Sequence, residues 1–279
     1  MQRKSKLIRT SVIFFLSVLI VSCDSNLPNG GIPSYVKIES VTLNSNPLQG
    51  SNSHNIVDIW LEAKGVDYGA YELPTTLPLL TEGETTLFLL AGNLEDGRSG
   101  FRGIYPFYTL DTALVNLIEK DTITVIPSFS YRSATQFPLI EDFEIGNSFD
   151  NLQIVTNNEV FEGSGSGLMT LNGLTPEKTA KTFASFVLPF DREVYVELNY
   201  KANNFFNVKL EGKENSGVIS TLDLIFIAPK SEWNKIYIKV TDDIALLNAV
   251  DYKFIINAVK NDTLPTAEIY IDNFKIVHL

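Results

Sequence analysis

Apolar and polar residues alternate with a period of two in many short segments along the chain. In the segment 193–202, for example, Val196 and Leu198 alternate with Glu197 and Asn199. Such alternation indicates strands that turn one face toward a core. The segments with this pattern are 35–43, 56–63, 85–91, 122–129, 193–202, 205–211, 233–241, 252–259 and 267–277. Strands at this spacing, separated by glycine and proline, predict an all-β fold made of β-sandwiches.

Three segments depart from the simple alternation. The segment 222–228 is apolar on both sides and is predicted to be a strand covered on both faces. The segment 111–117 fits either a strand or a single helical turn. The segment 242–248 fits one helical turn, with Thr241 or Asp242 as its N-cap.

The first 23 residues have the pattern of an export signal. Residues 1–9 carry four basic side chains and no acid, and an apolar run follows at 12–21. That run is short for a membrane span, so it predicts a secretory signal peptide. The sequence Ile-Val-Ser-Cys at 20–23 resembles the lipobox of bacterial lipoproteins. The resemblance implies that residues 1–22 are removed and that Cys23 then carries diacylglycerol and palmitate. An ordinary signal peptide that happens to contain a cysteine is the alternative.

The composition of the remaining chain predicts two domains on a tether. Residues 23–34 are rich in turn-forming residues and form the predicted lipidated tether. A predicted linker at 131–139 separates a first domain at 35–130 from a second at 140–279. The first domain resembles immunoglobulin-like and PEGA-like surface domains in its turn placement, with Gly-Ala-Tyr-Glu-Leu-Pro followed by Leu-Thr-Glu-Gly-Glu-Thr-Thr-Leu.

The second predicted domain carries the more specific resemblance. It opens with Asp-Phe-Glu at 142–144, continues with Phe-Glu-Gly-Ser-Gly-Ser-Gly at 161–167, and closes with Ile-Tyr-Ile-Asp-Asn-Phe-Lys-Ile-Val at 269–277. These segments are similar to those of the jelly-roll in carbohydrate-binding modules and galactose-binding-like domains. The resemblance implies a jelly-roll fold, sugar binding, and a structural calcium held by Glu144 and Asp272. Two acids that cap strand ends in solvent are the alternative.

The charge of the chain narrows the range of partners. Loss of the four basic residues of the signal changes the formal charge from −11 to −15. Nucleic acid and anionic lipid surfaces require a basic patch, so neither is an expected partner. The two histidines, His54 and His278, are not spaced with other metal ligands, and the chain carries no recognisable catalytic motif. We therefore expect a protein that is not an enzyme.

The polar face of the predicted second-domain sheet is the candidate ligand site. If the apolar residues of its strands face the core, the opposite face presents tyrosines, amides and charges, which is the mixture that sugars require. A merely solvated face is the alternative. The candidate binding residues are Tyr195, Glu197, Asn199, Asn207 and Tyr237.

A second candidate lies in the first domain, where Tyr-Pro-Phe-Tyr at 105–108 is predicted to occupy a loop. Loop aromatics of this kind either anchor a partner protein or close the end of a small sandwich.

These observations predict a lipid-anchored protein of the bacterial outer membrane, on its periplasmic or cell-surface side, that binds a polysaccharide. A structural or interaction subunit that docks onto an outer-membrane protein assembly through its first domain is the alternative. A glycan-active jelly-roll enzyme is the third reading.

Overall fold

The computed structural model describes residues 31–279. The predicted signal peptide, the acylation site Cys23 and most of the predicted tether 23–34 lie outside the described residues. The described part consists mainly of strands with one short helix, so the predicted all-β class is confirmed. No helix within 31–279 is long and apolar enough to cross a membrane.

The strands between residues 34 and 130 form what we call the N-terminal sandwich. They are β1 (Ser34–Ile38), β2 (Thr42–Asn44), β3 (Asp58–Ala63), β4 (Val66–Glu72), β5 (Thr75–Leu79), β6 (Gly83–Leu94), β7 (Arg102–Ile104), β8 (Asp111–Leu117), β9 (Thr122–Thr124) and β10 (Ser128–Ser130). A five-stranded antiparallel sheet runs β4-β3-β6, with β7 and β8 both paired to β6. The smaller sheets β5-β1-β9 and β10-β2 contribute to the same core, which buries Ile38, Leu61, Leu87 and Phe129.

The strands between residues 136 and 278 form the C-terminal sandwich. Its elements are β11 (Gln136–Glu141), β12 (Gln153–Val155), β13 (Ser166–Leu171), β14 (Glu177–Lys181), β15 (Val194–Ala202), β16 (Phe206–Lys213), β17 (Ile219–Ile227), β18 (Lys230–Lys239), α1 (Thr241–Leu247), β19 (Asp251–Val259) and β20 (Ala267–His278). One sheet runs β12-β13-β20-β15-β18 with β11 paired to β20, and the other runs β14-β19-β16-β17. Their inner faces share one core.

The alternation read from the sequence explains the inner faces of these sheets. In β16, Val208 and Leu210 point into the core while Asn207 and Lys209 lie on the outer face. Strand β15 differs because almost all of its residues are buried on both faces. Its outer face packs against the N-terminal sandwich, and this contact positions the site described below.

Two predicted strands are wrong in extent. The segments 35–43 and 122–129 each form two strands that belong to different sheets, because the chain leaves one sheet and enters another between them. Pro127, which has no N–H for a ladder, lies in the second break. The segment 111–117 is the strand β8, which settles the choice between strand and helical turn.

Three further expectations are corrected. The segment 222–228 is not covered on both faces, because β17 is an edge strand that pairs only with β16 and leaves Phe226 exposed. The helix α1 is capped by Val240 rather than Thr241 or Asp242, with no side-chain capping bond. The predicted linker 131–139 is not a free connection: its first residue, Tyr131, is buried in the N-terminal core, and β11 begins at Gln136.

Candidate functional site

The predicted sugar-binding face is not open to solvent. Tyr195, Glu197, Asn199 and Tyr237 lie on the outer face of the large C-terminal sheet, as the alternation predicts, but each is at most 5% exposed. The N-terminal sandwich covers them. Their sequence pattern is the same as that of a solvated face, so the expectation that this face meets solvent is wrong, and a sugar chain cannot lie on it in this structure.

A buried network of charges and hydroxyls holds the two sandwiches together. Glu197 accepts hydrogen bonds from the hydroxyls of Tyr105 at 2.7 Å and Tyr131 at 2.9 Å. On its other side, the carboxylate pairs with the Lys235 ammonium at 2.7 Å. Lys235 also donates to the backbone carbonyl of Ser53 at 2.8 Å. A buried charge is tolerated only when paired and hydrogen-bonded, and this carboxylate meets both conditions.

Lys275 is the third charged residue in this network. Its side chain is fully buried, and its Nζ donates to the carbonyl of Ser51 at 3.2 Å. Burial and the nearby Lys235 charge lower the pKa of Lys275 to about 7. Burial alone would raise the pKa of Glu197, but the charges of Lys235 and Lys275, together with the hydrogen bonds from Lys235 and Tyr105, outweigh it and lower that pKa. The pKa of Glu197 therefore lies below its ordinary value, and that of Lys275 lies near neutral pH.

The aromatic cluster at 105–108 belongs to this contact between the sandwiches. The Tyr105 ring meets Tyr195 edge-on with centroids 5.4 Å apart and lies 4.8 Å from the Tyr237 ring. The Tyr108 hydroxyl lies 3.2 Å from that of Tyr237, which also accepts a hydrogen bond from the Asn55 amide at 2.9 Å. The sequence predicted that the segment 105–108 either anchors a partner protein or closes the end of a small sandwich. Instead, the segment contacts the C-terminal sandwich of the same chain.

The turn that follows β6 extends this contact to the edge of the C-terminal sandwich. The amide of Asp96 donates to the carbonyl of Tyr237 at 2.8 Å, and the amide of Lys239 donates to Asp96 Oδ1 at 3.1 Å. Tyr195 adds a hydrogen bond to Glu95 at 2.9 Å. The turn thus lies along β18 and approaches the edge strand β17.

An open cleft lies between this turn and β17, and we call it the interdomain cleft. It consists of two adjoining cavities of about 460 and 390 Å³ that share Asp96, Ile225 and Phe226 in their walls. Arg98 and Asn207 line the larger cavity. Clefts between domains that combine apolar walls with a few convergent polar groups are the usual location of ligand sites.

Phe226 and Asn207 provide an exposed aromatic ring and an amide oxygen in the cleft. The Phe226 ring is 64% exposed and stacks on Phe205 with centroids 5.0 Å apart and planes 6° from parallel. The amide Oδ1 of Asn207 is buried and has no hydrogen-bond partner among the described residues. Among the predicted sugar-binding residues, Asn207 lines the larger cavity of this cleft.

The charges that line the larger cavity of the cleft are paired. Arg98 pairs with Asp96 at 3.3 Å, and Lys209 pairs with Asp223 at 3.0 Å. Burial raises the pKa of Asp96, while the Lys239 amide and Arg98 act against that rise. A ligand in the larger cavity therefore meets donors and acceptors but no unpaired charge, whereas Lys230 lines the smaller cavity without an ion-pair partner within residues 31–279.

The predicted calcium residues lie together, but without a ligand set. Glu144 and Asp272 line one cavity of about 400 Å³, together with Asp142 and Glu162. Glu144 already accepts from the amide and hydroxyl of Ser164 at 2.7 and 2.6 Å. Burial raises the pKa of Asp272 to about 7. Within 31–279 no three acidic, histidine or cysteine side chains converge as metal ligands, and the calcium ion stays a prediction.

Comparison with known proteins gives similarity at the level of solved structures alone. No protein-family model matches the chain, and no curated protein matches it. The C-terminal family 22 carbohydrate-binding module of Clostridium thermocellum Xyn10B is 14% identical with a TM-score of 0.34, over 52% of this chain and 96% of the module. A variant of the family 29 module CBM29-2 is 15% identical with a TM-score of 0.34, over 53% of this chain and 92% of the module. The β-sandwich fold described above stands on this chain's own sheets.

Sequence reasoning missed Phe226 and the turn at 94–98. The apolar run around Phe226 predicted a buried strand, and a period-two pattern cannot distinguish an edge strand from a central one. Gly97 is a local turn signal, but no local signal shows which distant strand a turn will meet.

Proposed function

We propose that this protein is a lipid-anchored protein of the bacterial outer membrane that binds a neutral polysaccharide, without catalysis, in the interdomain cleft. The observation that carries the proposal is the exposed ring of Phe226, stacked on Phe205, beside the amide oxygen of Asn207, which has no partner among residues 31–279. The cleft replaces the predicted tyrosine face as the binding site. Asn207 belongs both to the predicted set of binding residues and to the cleft.

The residue types in the cleft suit a sugar. The apolar face of a pyranose ring packs on an aromatic ring, and each of its hydroxyls can both donate and accept a hydrogen bond. Phe226 offers the ring, and Asn207, Asp96 and Arg98 offer acceptors and donors around it. A buried acceptor without a partner is unfavourable, so a ligand hydroxyl that donates to Asn207 adds binding energy.

In the larger cavity, the ion pairs favour a neutral ligand over a charged one. A carboxylated or sulfated chain would have to compete with Asp96 and Asp223 for Arg98 and Lys209, and the acidic surroundings would oppose it. Neutral polysaccharides such as xylan or mannan meet no such competition. Affinity-gel retardation with neutral and acidic polysaccharides therefore tests the class of ligand.

Phe226→Ala is the first test of the site. Protein purified from the producing cells should be retarded by at least one neutral polysaccharide, and this change should weaken the retardation roughly tenfold, since a stacked ring is worth about 1.4 kcal/mol. Phe183→Ala is the matched control, because Phe183 is also an exposed phenylalanine of the C-terminal sandwich, 63% against 64%, and lies outside the cleft walls. Equal losses in the two variants would discard the cleft.

Asn207→Ala separates binding from folding. Because its Oδ1 has no partner among residues 31–279, the change should leave the free energy of unfolding within about 0.5 kcal/mol while it weakens the retardation. A loss of stability without a loss of retardation would assign Asn207 a structural role instead.

The lipid anchor has its own test, which does not depend on the cleft. The wild-type protein should incorporate a labelled fatty acid and begin at position 23 after processing, whereas Cys23→Ala should lose the label and leave the membrane fraction. An unlabelled wild-type product, or a mature start elsewhere, would remove the anchor from the proposal. Fractionation of labelled cells then distinguishes the outer from the inner membrane.

A further inference from the structure

The outer face of the five-stranded N-terminal sheet carries an unusual number of apolar side chains. In the register of β3, β6 and β8, Trp60 lies opposite Leu90, and Thr86 lies opposite Leu114. Trp60, Phe88 and Leu90 are half-buried, whereas Ile104, Leu110 and Leu114 are exposed, the last to 67%. We call this surface the Trp60 face and define it by its six apolar residues, Trp60, Phe88, Leu90, Ile104, Leu110 and Leu114.

A solvated sheet face does not normally have this composition. Antiparallel sheets that pack one face on a core usually present polar residues on the other. Here the inner face already supplies the core through Ile59, Leu61 and Leu87. The Trp60 face bounds a cavity of about 380 Å³. Contiguous apolar residues on an exposed face mark interaction sites.

The edge of this face is acidic. Glu62 and Asp67 lie directly opposite each other in the β3–β4 ladder, line the same cavity and have no ion-pair partner within residues 31–279. Like charges opposite each other across a ladder are destabilising unless a cation approaches. The next acidic pair, Asp58 and Glu72, shows the usual remedy, because Arg102 pairs with both.

We propose that the Trp60 face docks a partner protein whose contact segment presents apolar side chains bordered by lysine or arginine. The apolar residues match the core of a protein interface. A cation of the partner placed between Glu62 and Asp67 would offset the repulsion between these two carboxylates, as Arg102 offsets that between Asp58 and Glu72.

Other occupants fit less well. Leucine and isoleucine side chains offer no hydrogen bonds to sugar hydroxyls, and the acidic edge opposes an anionic lipid surface. A second copy of the chain would bring a second acidic pair to the interface. The proposal is independent of polysaccharide binding in the cleft.

Photo-crosslinking in the producing cells tests the proposal on the full chain. A benzophenone amino acid replaces Leu114 on the Trp60 face, or Leu174, which is 96% exposed on the C-terminal sandwich, as the positional control. Mass spectrometry identifies the crosslinked peptide. The expected result is a protein adduct at position 114 and not at 174, with lysine or arginine beside the apolar residues of the adduct peptide.

A charge reversal completes the test. Glu62→Lys should lower the adduct yield roughly fivefold, whereas Glu232→Lys, an exposed acid on β18, should not. Thermal unfolding of both variants checks that they fold. The proposal is overturned by no adduct at 114, by an adduct with a second copy, a glycan or a phospholipid, by an adduct peptide without basic residues, or by an unchanged yield in Glu62→Lys.

Discussion

At the scale of single residues, surroundings decide the role of a side chain more than its place in an alternating strand does. Glu197 occupies an outward position of β15, where a carboxylate is ordinarily solvated, yet it is fully buried against Lys235 and two tyrosines. The alternation correctly placed Tyr195, Glu197 and Asn199 on one face. It could not show that the face is covered, because a polar interface and a solvated surface use the same residue types.

Lys275 provides a pH-dependent test of this buried network. Its pKa of about 7 in the folded protein lies below the ordinary 10.5, so the unfolded chain binds more protons between these values and stability should rise with pH across that window. From pH 7 to pH 9 the rise amounts to about 2 kcal/mol in the free energy of unfolding. Lys275→Met keeps the packing volume and should abolish this rise.

Chemical denaturation of the wild type and Lys275→Met at the two pH values measures the difference. Lys253→Met serves as the control for loss of a lysine outside the interface. Lys253 lies partly exposed on the outer face of β19, and its Nζ donates a hydrogen bond to the backbone carbonyl of Phe183. If both variants keep the wild-type slope, the lysine in the interface does not titrate as its burial requires.

At the scale of elements, the strands were largely predictable and their partners were not. The period of two located β15, β16, β18, β19 and β20 to within a few residues. It merged β1 with β2 and β9 with β10, because a change of sheet alters hydrogen-bond partners without altering the local pattern. Pairing is set by contacts distant in sequence, which local alternation does not encode.

Gly92 shows how one strand position shapes the Trp60 face. A Cβ added there would lie 2.9 Å from Asp58 Cβ and 3.1 Å from Trp60 Nε1, both too close. Gly92→Ala should therefore displace the indole, shift the tryptophan emission in a Trp233→Phe background, and cost about 1–3 kcal/mol.

The same sheet offers a matched control for this change. A Cβ added at Gly103 in β7 would have no heavy atom within 4 Å, so Gly103→Ala should leave the tryptophan emission unchanged. Identical spectra for Gly92→Ala and the wild type would show that the indole does not rest on the glycine.

At the scale of the whole molecule, the contact between the sandwiches both removes one binding face and creates another. The N-terminal sandwich covers the tyrosine face of the large sheet, while its turn at 94–98 forms one wall of the interdomain cleft. Two sandwiches could be expected from the length and the strand spacing. Their mutual placement depends on the Glu197 network and could not be expected, since its members are spread from Ser51 to Lys275 in the sequence.

The central claim is that a neutral polysaccharide binds between the two sandwiches, and amide hydrogen exchange with the retarding polysaccharide tests it most directly. Protection should increase in both walls of the cleft, at residues 94–98 of the N-terminal sandwich and 222–227 of β17, and not at 177–181 of β14. Protection confined to β14 and its neighbours, or none in either wall despite saturating ligand, would contradict the account.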